Sequence, residues 1–445
     1  MITKATKQKA ESQILNYNGR YSERIEFNKN YGKLVTFAPN KKTGIYNWFP
    51  YKEAFSNILV YKLIELFELN SGDYLLDPFC GIGTTLLAAK EKGINAYGID
   101  ILPLCTFVTQ VKINVCNYDT GKMREYLDQI LDSDLVIDRS LVLPDIKIIT
   151  KAFDSSDGFL EILSFKRLIE NVVEDQLYRN LFTLGLLSIV GELSNTRKDG
   201  AFLRLVQHKQ HKDTKSLFRA QIAKYILDVD KLSSGLFEND LLRSNVDNKV
   251  FCMDSRGIEL DRCFHAVITS PPYLNRYDYT RTYTLELATE FVNSFQELKT
   301  IRYNTIRSHV EAKFGKSQFV KSAILRECLT TLSNRQLNNP QIPEMISGYF
   351  EDMYLVLRTI KRYLYVNGKV AFVVGTVRYS GVNIPVDIIL ADIGSQLGFK
   401  LEKIIITRVK GNSQQQRRQY DDDPTRESIV ILSMPQDSLN TSTSR

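Results

Sequence analysis

Apolar and polar positions follow two rhythms along the chain, and the places where one yields to the other predict the elements. From Tyr51 to Leu69 apolar residues recur at helical spacing (Phe55, Leu59, Leu63, Leu66), which predicts an amphipathic helix. A short apolar run, Tyr74–Leu76, follows and ends in Asp77. Next come a Gly-rich turn, a stretch of helical composition from Thr84 to Lys92, a stop at Gly93, and a second run, Asn95–Ile99, that ends in Asp100. Strand, turn, helix and strand in that order predict one βαβ unit of a parallel sheet.

From about Thr120 to Asp247 the pattern is mainly helical, strongest over Glu170–Leu193 and Phe218–Leu232, with Gly235 as a stop. Strand signals return at Lys249–Cys252, before Asp254, and at His265–Ile268, before Ser270. A second polar, helix-rich stretch runs from Leu274 to Met345. After it come a helix (Gly348–Leu364), a strand (Lys369–Val374), a helix (Pro385–Leu397) and two apolar runs (Leu401–Ile406, Ser428–Leu432). The last two flank a polar loop and predict an antiparallel pair. About seven strands alternate with helices. That order predicts an α/β fold with a doubly wound, seven-stranded, mainly parallel sheet and helical insertions on the side of the strand ends.

Composition narrows the class. Hydrophobic residues make up 43% of the 445 positions and charged residues 24%, enough apolar material for a large core and unlike a disordered, collagenous or disulfide-framework chain. Six cysteines (Cys80, Cys105, Cys116, Cys252, Cys263, Cys328) are scattered without metal-ligand spacing, so reduced thiols and no metal site are expected. The N-terminus has no apolar signal-peptide core, and no apolar run approaches the roughly 18 residues that span a bilayer. A cytoplasmic protein without a membrane partner is the expectation. The 58 Lys and Arg exceed the 51 Asp and Glu by seven, which permits a polyanionic partner without requiring one.

The turn Asp77-Pro78-Phe79-Cys80-Gly81-Ile82-Gly83-Thr84-Thr85 joins a strand to a helix. Gly81 and Gly83 permit a tight turn and close approach of a ligand, and the helix start beyond them offers unpaired N–H groups. Asp100, at the end of the next strand, stands where a carboxylate accepts from ribose hydroxyls. A nucleoside-containing cofactor is therefore expected, although a bare G-x-G also reads as a plain tight turn. The phosphate-loop Gly-Lys-Ser/Thr is absent, and Leu86 occupies the place of the third glycine of a dinucleotide fingerprint.

This nonapeptide resembles the S-adenosylmethionine loop of the amino-methyltransferases that act on DNA bases. The resemblance implies that Asp77, Phe79, Gly81, Gly83 and Thr84 line the cofactor and that Asp100 holds its ribose. Asn47-Trp48-Phe49-Pro50-Tyr51-Lys52-Glu53-Ala54-Phe55-Ser56 is similar to that family's upstream motif, which packs over the methionine end of the cofactor and would place Phe55 there; alternatively Phe55 is a core residue at the start of a helix. Asp254 would read the cofactor's adenine ring.

Thr269-Ser270-Pro271-Pro272-Tyr273 follows another strand. Two prolines at a strand end make a rigid corner. An exocyclic amine is a poor nucleophile because its lone pair is delocalised into the ring. Acceptors against its N–H groups, which Ser270 Oγ and the Pro271 carbonyl can supply, favour a tetrahedral nitrogen and stabilise the developing positive charge. The base must leave the duplex to reach them, and Tyr273 offers a face for it to stack on. Ser-Pro-Pro-Tyr is the form most often seen in cytosine-N4 enzymes of the family, whereas adenine-N6 enzymes more often begin the motif with Asp or Asn. The resemblance covers residues 47–105, 249–287 and 350–433. It implies site-specific transfer to cytosine N4 in duplex DNA, within a restriction-modification system whose cognate endonuclease acts on the same site. An adenine-N6 enzyme, an RNA guanine-N2 enzyme and an inert DNA-recognition subunit stay as rivals.

The resulting division is a polar N-terminal segment (1–30), a cofactor-binding part of the core (31–119), a helical insertion and candidate target-recognition region (120–247), a catalytic part (248–290), a second basic helical insertion (291–345), the C-terminal part of the core (346–435) and a tail (436–445). Asn195–Ala220 holds seven Lys/Arg, among them Arg197, Lys198 and Arg204, against two acids, together with His208 and His211. Gln296–Gln336 holds eight against three. Each reads either as a phosphate-contacting surface or as a solvated helix face. Arg276 and Arg281 beside the tetrapeptide, and Gln415, Arg417 and Arg418 in the late polar loop, are further candidates for DNA contact.

Overall fold

The Gly-rich turn lies at the centre of a large sheet in a computed structural model that describes residues 21–153, 155, 157–200, 202–206, 213–233, 246–313, 322–409 and 425–436. In chain order the strands are β1 (Ile25–Phe27), β2 (Tyr74–Asp77), β3 (Asn95–Asp100), β4 (Thr196–Asp199), β5 (Phe202–Leu205), β6 (Asn248–Cys252), β7 (Phe264–Thr269), β8 (Leu364–Gly375), β9 (Val377–Tyr379), β10 (Val382–Ile384), β11 (Lys400–Val409) and β12 (Arg426–Ser433). Eight of them form one sheet in the order β1-β11-β12-β8-β7-β2-β3-β6. Only β12 runs antiparallel to its neighbours. The pairs β4–β5 and β9–β10 are separate hairpins.

Side chains alternate across the sheet with period two. Leu75, Ala96, Ala266, Ile268, Ala371 and Val373 face one core, packed with the helices Asn57–Leu66, Thr84–Lys90 and Pro103–Ile113. Leu76, Tyr97, Ile99, Val267, Phe372 and Val374 face the other, under the helices Ile342–Tyr363 and Val386–Gln396. Burial on both faces is why these strands read as continuous apolar runs. The amphipathic helix expected from Tyr51 onward begins at Asn57, because Ser56 caps it by accepting the Leu59 N–H at 3.2 Å.

The sheet has eight strands, not seven. The additional one, β1, lies inside the N-terminal segment expected to be polar. It pairs in parallel with β11, Ile25 opposite Ile404 and Phe27 opposite Ile406. Three residues are too few to display a period, and the pairing partner is nearly the whole chain away.

The helical pattern Glu170–Leu193 is split between two helices, Gly158–Val172 and Gln176–Leu193, with Asp175 capping the second through the Leu177 N–H. The region 120–247 also carries strands, the β4–β5 hairpin, which charge counting does not reveal. None of the six cysteines forms a disulfide. Among the described residues no helix is long and apolar enough to cross a membrane.

Candidate active site

β2 and β7 are parallel neighbours, Leu75 opposite Ala266 and Leu76 opposite Val267. From β2 the sheet continues to β3 and β6 on one side, and from β7 to β8 on the other. The strand order therefore reverses between them, and an open α/β sheet forms its ligand crevice beyond the strand ends at such a point. Both sequence motifs end there. Thr269 Oγ1 donates to Asp77 Oδ1 at 2.6 Å, and the Phe79 N–H donates to the same oxygen at 3.1 Å. Asp77 is thus the tie between the two loops. Burial pushes its pKa up to about 6, although these hydrogen bonds favour the carboxylate.

The turn is held from behind by the helix Pro103–Ile113. Thr109 Oγ1 donates to the Gly81 carbonyl at 2.9 Å, and the buried Lys112 ammonium donates to the carbonyls of Ile82 (3.1 Å) and Tyr46 (3.2 Å). Burial lowers the Lys112 pKa to about 7. Gly83 has φ +77°, and a Cβ there would lie 2.6 Å from Thr109 Cγ2, so conformation and space both demand glycine. The Gly81 N–H points forward to Asp100 Oδ2 at 3.0 Å, and Asp100 Oδ1 accepts the Leu102 N–H at 2.9 Å. Burial raises the Asp100 pKa to about 6.

These residues border a cleft of about 860 Å³, open solvent at its mouth included. Phe55, Asp77, Phe79, Gly81, Thr84, Asp100 and Asp254 all line it, as does Ser270, whereas Gly83 shapes the turn from behind. The buried Thr84 hydroxyl has no hydrogen-bond partner among the described residues. The Asp254 carboxylate is already engaged by Arg256, through Nε at 2.9 and 3.0 Å and through the terminal nitrogen at 2.7 Å.

One wall was not legible in the sequence. Asn304, Thr305, Ile306, Ser308 and His309, from the second inserted stretch, face the same cleft. Ion pairs carry them there. Arg256 donates to the Asn304 carbonyl at 2.6 Å and pairs with the fully buried Asp352 at 3.2 Å. Arg307 donates to Asp352 from its backbone N–H at 2.8 Å and from its guanidinium at 2.8 Å. His309 shares a hydrogen bond with Thr305 Oγ1 at 3.0 Å, and burial lowers its pKa. Arg302 is buried against Asp278 at 2.8 Å. Two of the eight cations read as a basic surface are therefore internal. No hydrophobic rhythm marks this irregular segment, whose anchor lies 45 positions along the chain.

A second cavity of about 760 Å³ adjoins the first. Pro271, Tyr273, Asn275, Arg408 and Glu427 line it, while Glu53, Ala54, Ser270 and Tyr279 border both. Pro272 faces the first cleft. The Ser270 hydroxyl donates to the Val373 carbonyl at 3.0 Å, which leaves its lone pairs as acceptors. The Tyr273 ring lies against Gly375, where a Cβ would approach it to 3.1 Å, and burial pushes the Tyr273 phenol well above its usual range. Glu53, at the junction, accepts from the hydroxyls of Tyr277 (2.5 Å) and Tyr283 (2.7 Å). Arg408 Nε is bonded to the buried Glu427. Neither Arg408 nor Glu427 was marked by any motif.

The candidate DNA contacts divide. Lys198 is turned inward: its ammonium is 2.5 Å from the buried Glu286 carboxylate and 3.8 Å from the Tyr283 ring centre, so its charge is satisfied inside the protein. Arg281 pairs with Glu311 and Asp278. Arg276 has a left-handed backbone, φ +66°, and its N–H donates to the Ser308 carbonyl at 3.0 Å. Arg197 and Arg204 are exposed. Gln415, Arg417, Arg418, His208 and His211 lie outside the described residues.

Comparison with known proteins gives the family. A DNA methylase family model matches residues 2–105, which contain β1 to β3 and the Gly-rich turn. The chain is 34% identical to the Type II methyltransferase M.BsoBI of Geobacillus stearothermophilus, across 91% of this chain and 88% of that one. It is 33% identical to the Type II methyltransferase M.AvaI of Nostoc sp., across 91% and 89%. A shorter match, 37% identity over 95 residues, links it to the Type II methyltransferase M.MjaII of Methanocaldococcus jannaschii, covering 21% of this chain and 17% of that one. Likeness along nine-tenths of its length places the chain in the DNA methylase family: it is a Type II DNA amino-methyltransferase, with S-adenosyl-L-methionine as its cofactor.

Proposed function

We propose that the chain methylates cytosine at N4, in duplex DNA and at a specific site, as the modification enzyme of a restriction-modification system. The observation that carries this reading is the meeting of two cavities at Ser270, one bordered by the Gly-rich turn and the other by the Tyr273 corner.

The first cleft fits the cofactor. The unpartnered Thr84 hydroxyl, the Asp100 carboxylate and the apolar faces of Phe55 and Phe79 supply a polar end and a stacking surface for a nucleoside. Asp254 remains a candidate for the adenine end, with Arg256 fixing its orientation. When bound, S-adenosylmethionine supplies an electrophilic methyl carried on a sulfonium. Everything else falls to the chain. Ser270 Oγ and the Pro271 carbonyl accept the two N4 hydrogens and hold the nitrogen lone pair out of conjugation. The Pro271-Pro272 corner fixes these acceptors, and the Tyr273 ring stacks on the flipped base. The proton leaves after the new bond forms, to Ser270 or to water.

Serine at the first motif position supports cytosine. Arg408 adds a physical argument, because its remaining N–H donors suit a ring carbonyl, which cytosine has and adenine lacks. Incubation with labelled S-adenosylmethionine and DNA, digestion to nucleosides and mass spectrometry tests the proposal. N4-methylcytosine is expected. N6-methyladenine would replace the cytosine reading, and absence of label from DNA would remove the whole proposal.

The raised pKa of Asp100 gives a pH dependence. The ionised carboxylate accepts ribose hydroxyls more strongly than the neutral acid, so cofactor affinity should be full well above pH 6 and fall as pH drops through about 6. Each further pH unit costs up to about tenfold. Calorimetry between pH 5 and 8 measures this. Asp100→Asn should bind weakly with a flatter profile, and an unchanged profile would assign the dependence to Asp77 instead.

A further inference from the structure

The β4–β5 hairpin is fixed against the junction of the two cavities. Lys52, on the wall of the second cavity, donates to the Gly200 carbonyl at the hairpin turn at 3.1 Å. β5 packs on the helix Tyr279–Thr282, whose first residue borders both cavities. Lys198 on β4 is locked to Glu286 and covers Tyr283, the partner of Glu53. Lys198 thus turns one face of the ribbon toward the protein.

The other face follows from the register. Arg197 pairs with Arg204 and Asp199 with Phe202, so these four side chains share the outward face. Phe202 is 56% exposed. A single exposed aromatic needs no explanation by itself. This one stands beside the hairpin turn, on the same face as two guanidinium groups, next to the cavity assigned to the base. Two arginines directly opposite each other also repel, and Asp199, 3.3 Å from Arg204, offsets only part of that. A phosphate between them would remove the repulsion.

We propose that this hairpin is the wedge that opens the duplex: Arg197 and Arg204 grip phosphates beside the target, and the Phe202 ring enters the stack where the flipped base has left. The proposal rests on the base-flipping reading above. An apolar side chain inserted between base steps offsets the unstacking cost that extrusion incurs.

The test uses the full chain and a duplex carrying its own methylation site, mapped on DNA it has modified. Phe202→Ala should slow methylation of the fully paired site by about 10- to 100-fold, the scale of a lost stacking partner. On the same site with the target base opposite an abasic position, where flipping is already easy, the variant should come within about threefold of the parent. Phe202→Trp should restore the rate on paired DNA, and cofactor affinity should not change in either variant. Equal loss on both substrates would make Phe202 structural and overturn the wedge, as would no loss on paired DNA. If the parent chain methylates neither duplex, the proposed function fails first, and that outcome is read separately.

Discussion

Tyr273→Ala should severely slow methyl transfer and leave cofactor affinity within about twofold of the parent. Tyr273 lines the second cavity and is absent from the wall of the first. Its loss removes a stacking face for the base, about 1–3 kcal/mol. It also removes the ring packed over Gly375, so the corner bearing Ser270 loses its support on that side. Together these should lower the single-turnover rate by about 10²- to 10³-fold, comparable with the loss of a preorganised polar group at a developing charge. Ser270→Ala should show a loss of similar size with intact folding. Rapid-quench kinetics and calorimetry, run on the same preparation, separate the two quantities. Loss of cofactor binding in Tyr273→Ala would show that the ring serves the first cleft, and the assigned role would be wrong.

Asp352→Ala should have the largest effect on stability. Its buried carboxylate is shared by Arg256 and Arg307, which are themselves nearly buried. Removing one partner of such a pair strands a charge in a site of low polarity and costs about 3–5 kcal/mol. The measurement is the urea midpoint, which should fall without a change in slope. Cofactor affinity should fall with it, because Arg256 and Arg307 hold the wall from Asn304 to His309 although Asp352 does not itself line the cleft. An unchanged midpoint would mean that the network is dispensable and that the wall is held by packing alone. Asp352→Asn keeps the shape and one acceptor and should lose less.

The parts of the site that were legible share one property. Asp77 to Thr85 and Thr269 to Tyr273 are contiguous, and their geometry is local: a turn that requires glycine and a corner made by two prolines. The strand ends that carry them were visible as apolar runs closing in an acid or a hydroxyl. What was not legible depends on pairing at a distance. Lys198, Arg302 and Arg307 count as positive charge in any window, yet each is neutralised by an acid far along the chain. Arg408 and Glu427 enter the second cavity only because β11 and β12 pair. Asn304 closes a helix and Thr305 to His309 belong to no periodic element, so nothing in their spacing announces the cleft.

The three residues of β1 have a consequence for handling the protein. They cover part of the outer edge of β11, where Ile404, Ile405 and Ile406 form a run of β-branched residues. A protease that trimmed the chain just after Phe27 would leave both cavities untouched. It would also bare a hydrogen-bonding edge that a second molecule can extend. Such a fragment would keep its catalytic centre and lose solubility, so aggregation during purification would report N-terminal clipping before any assay of activity did.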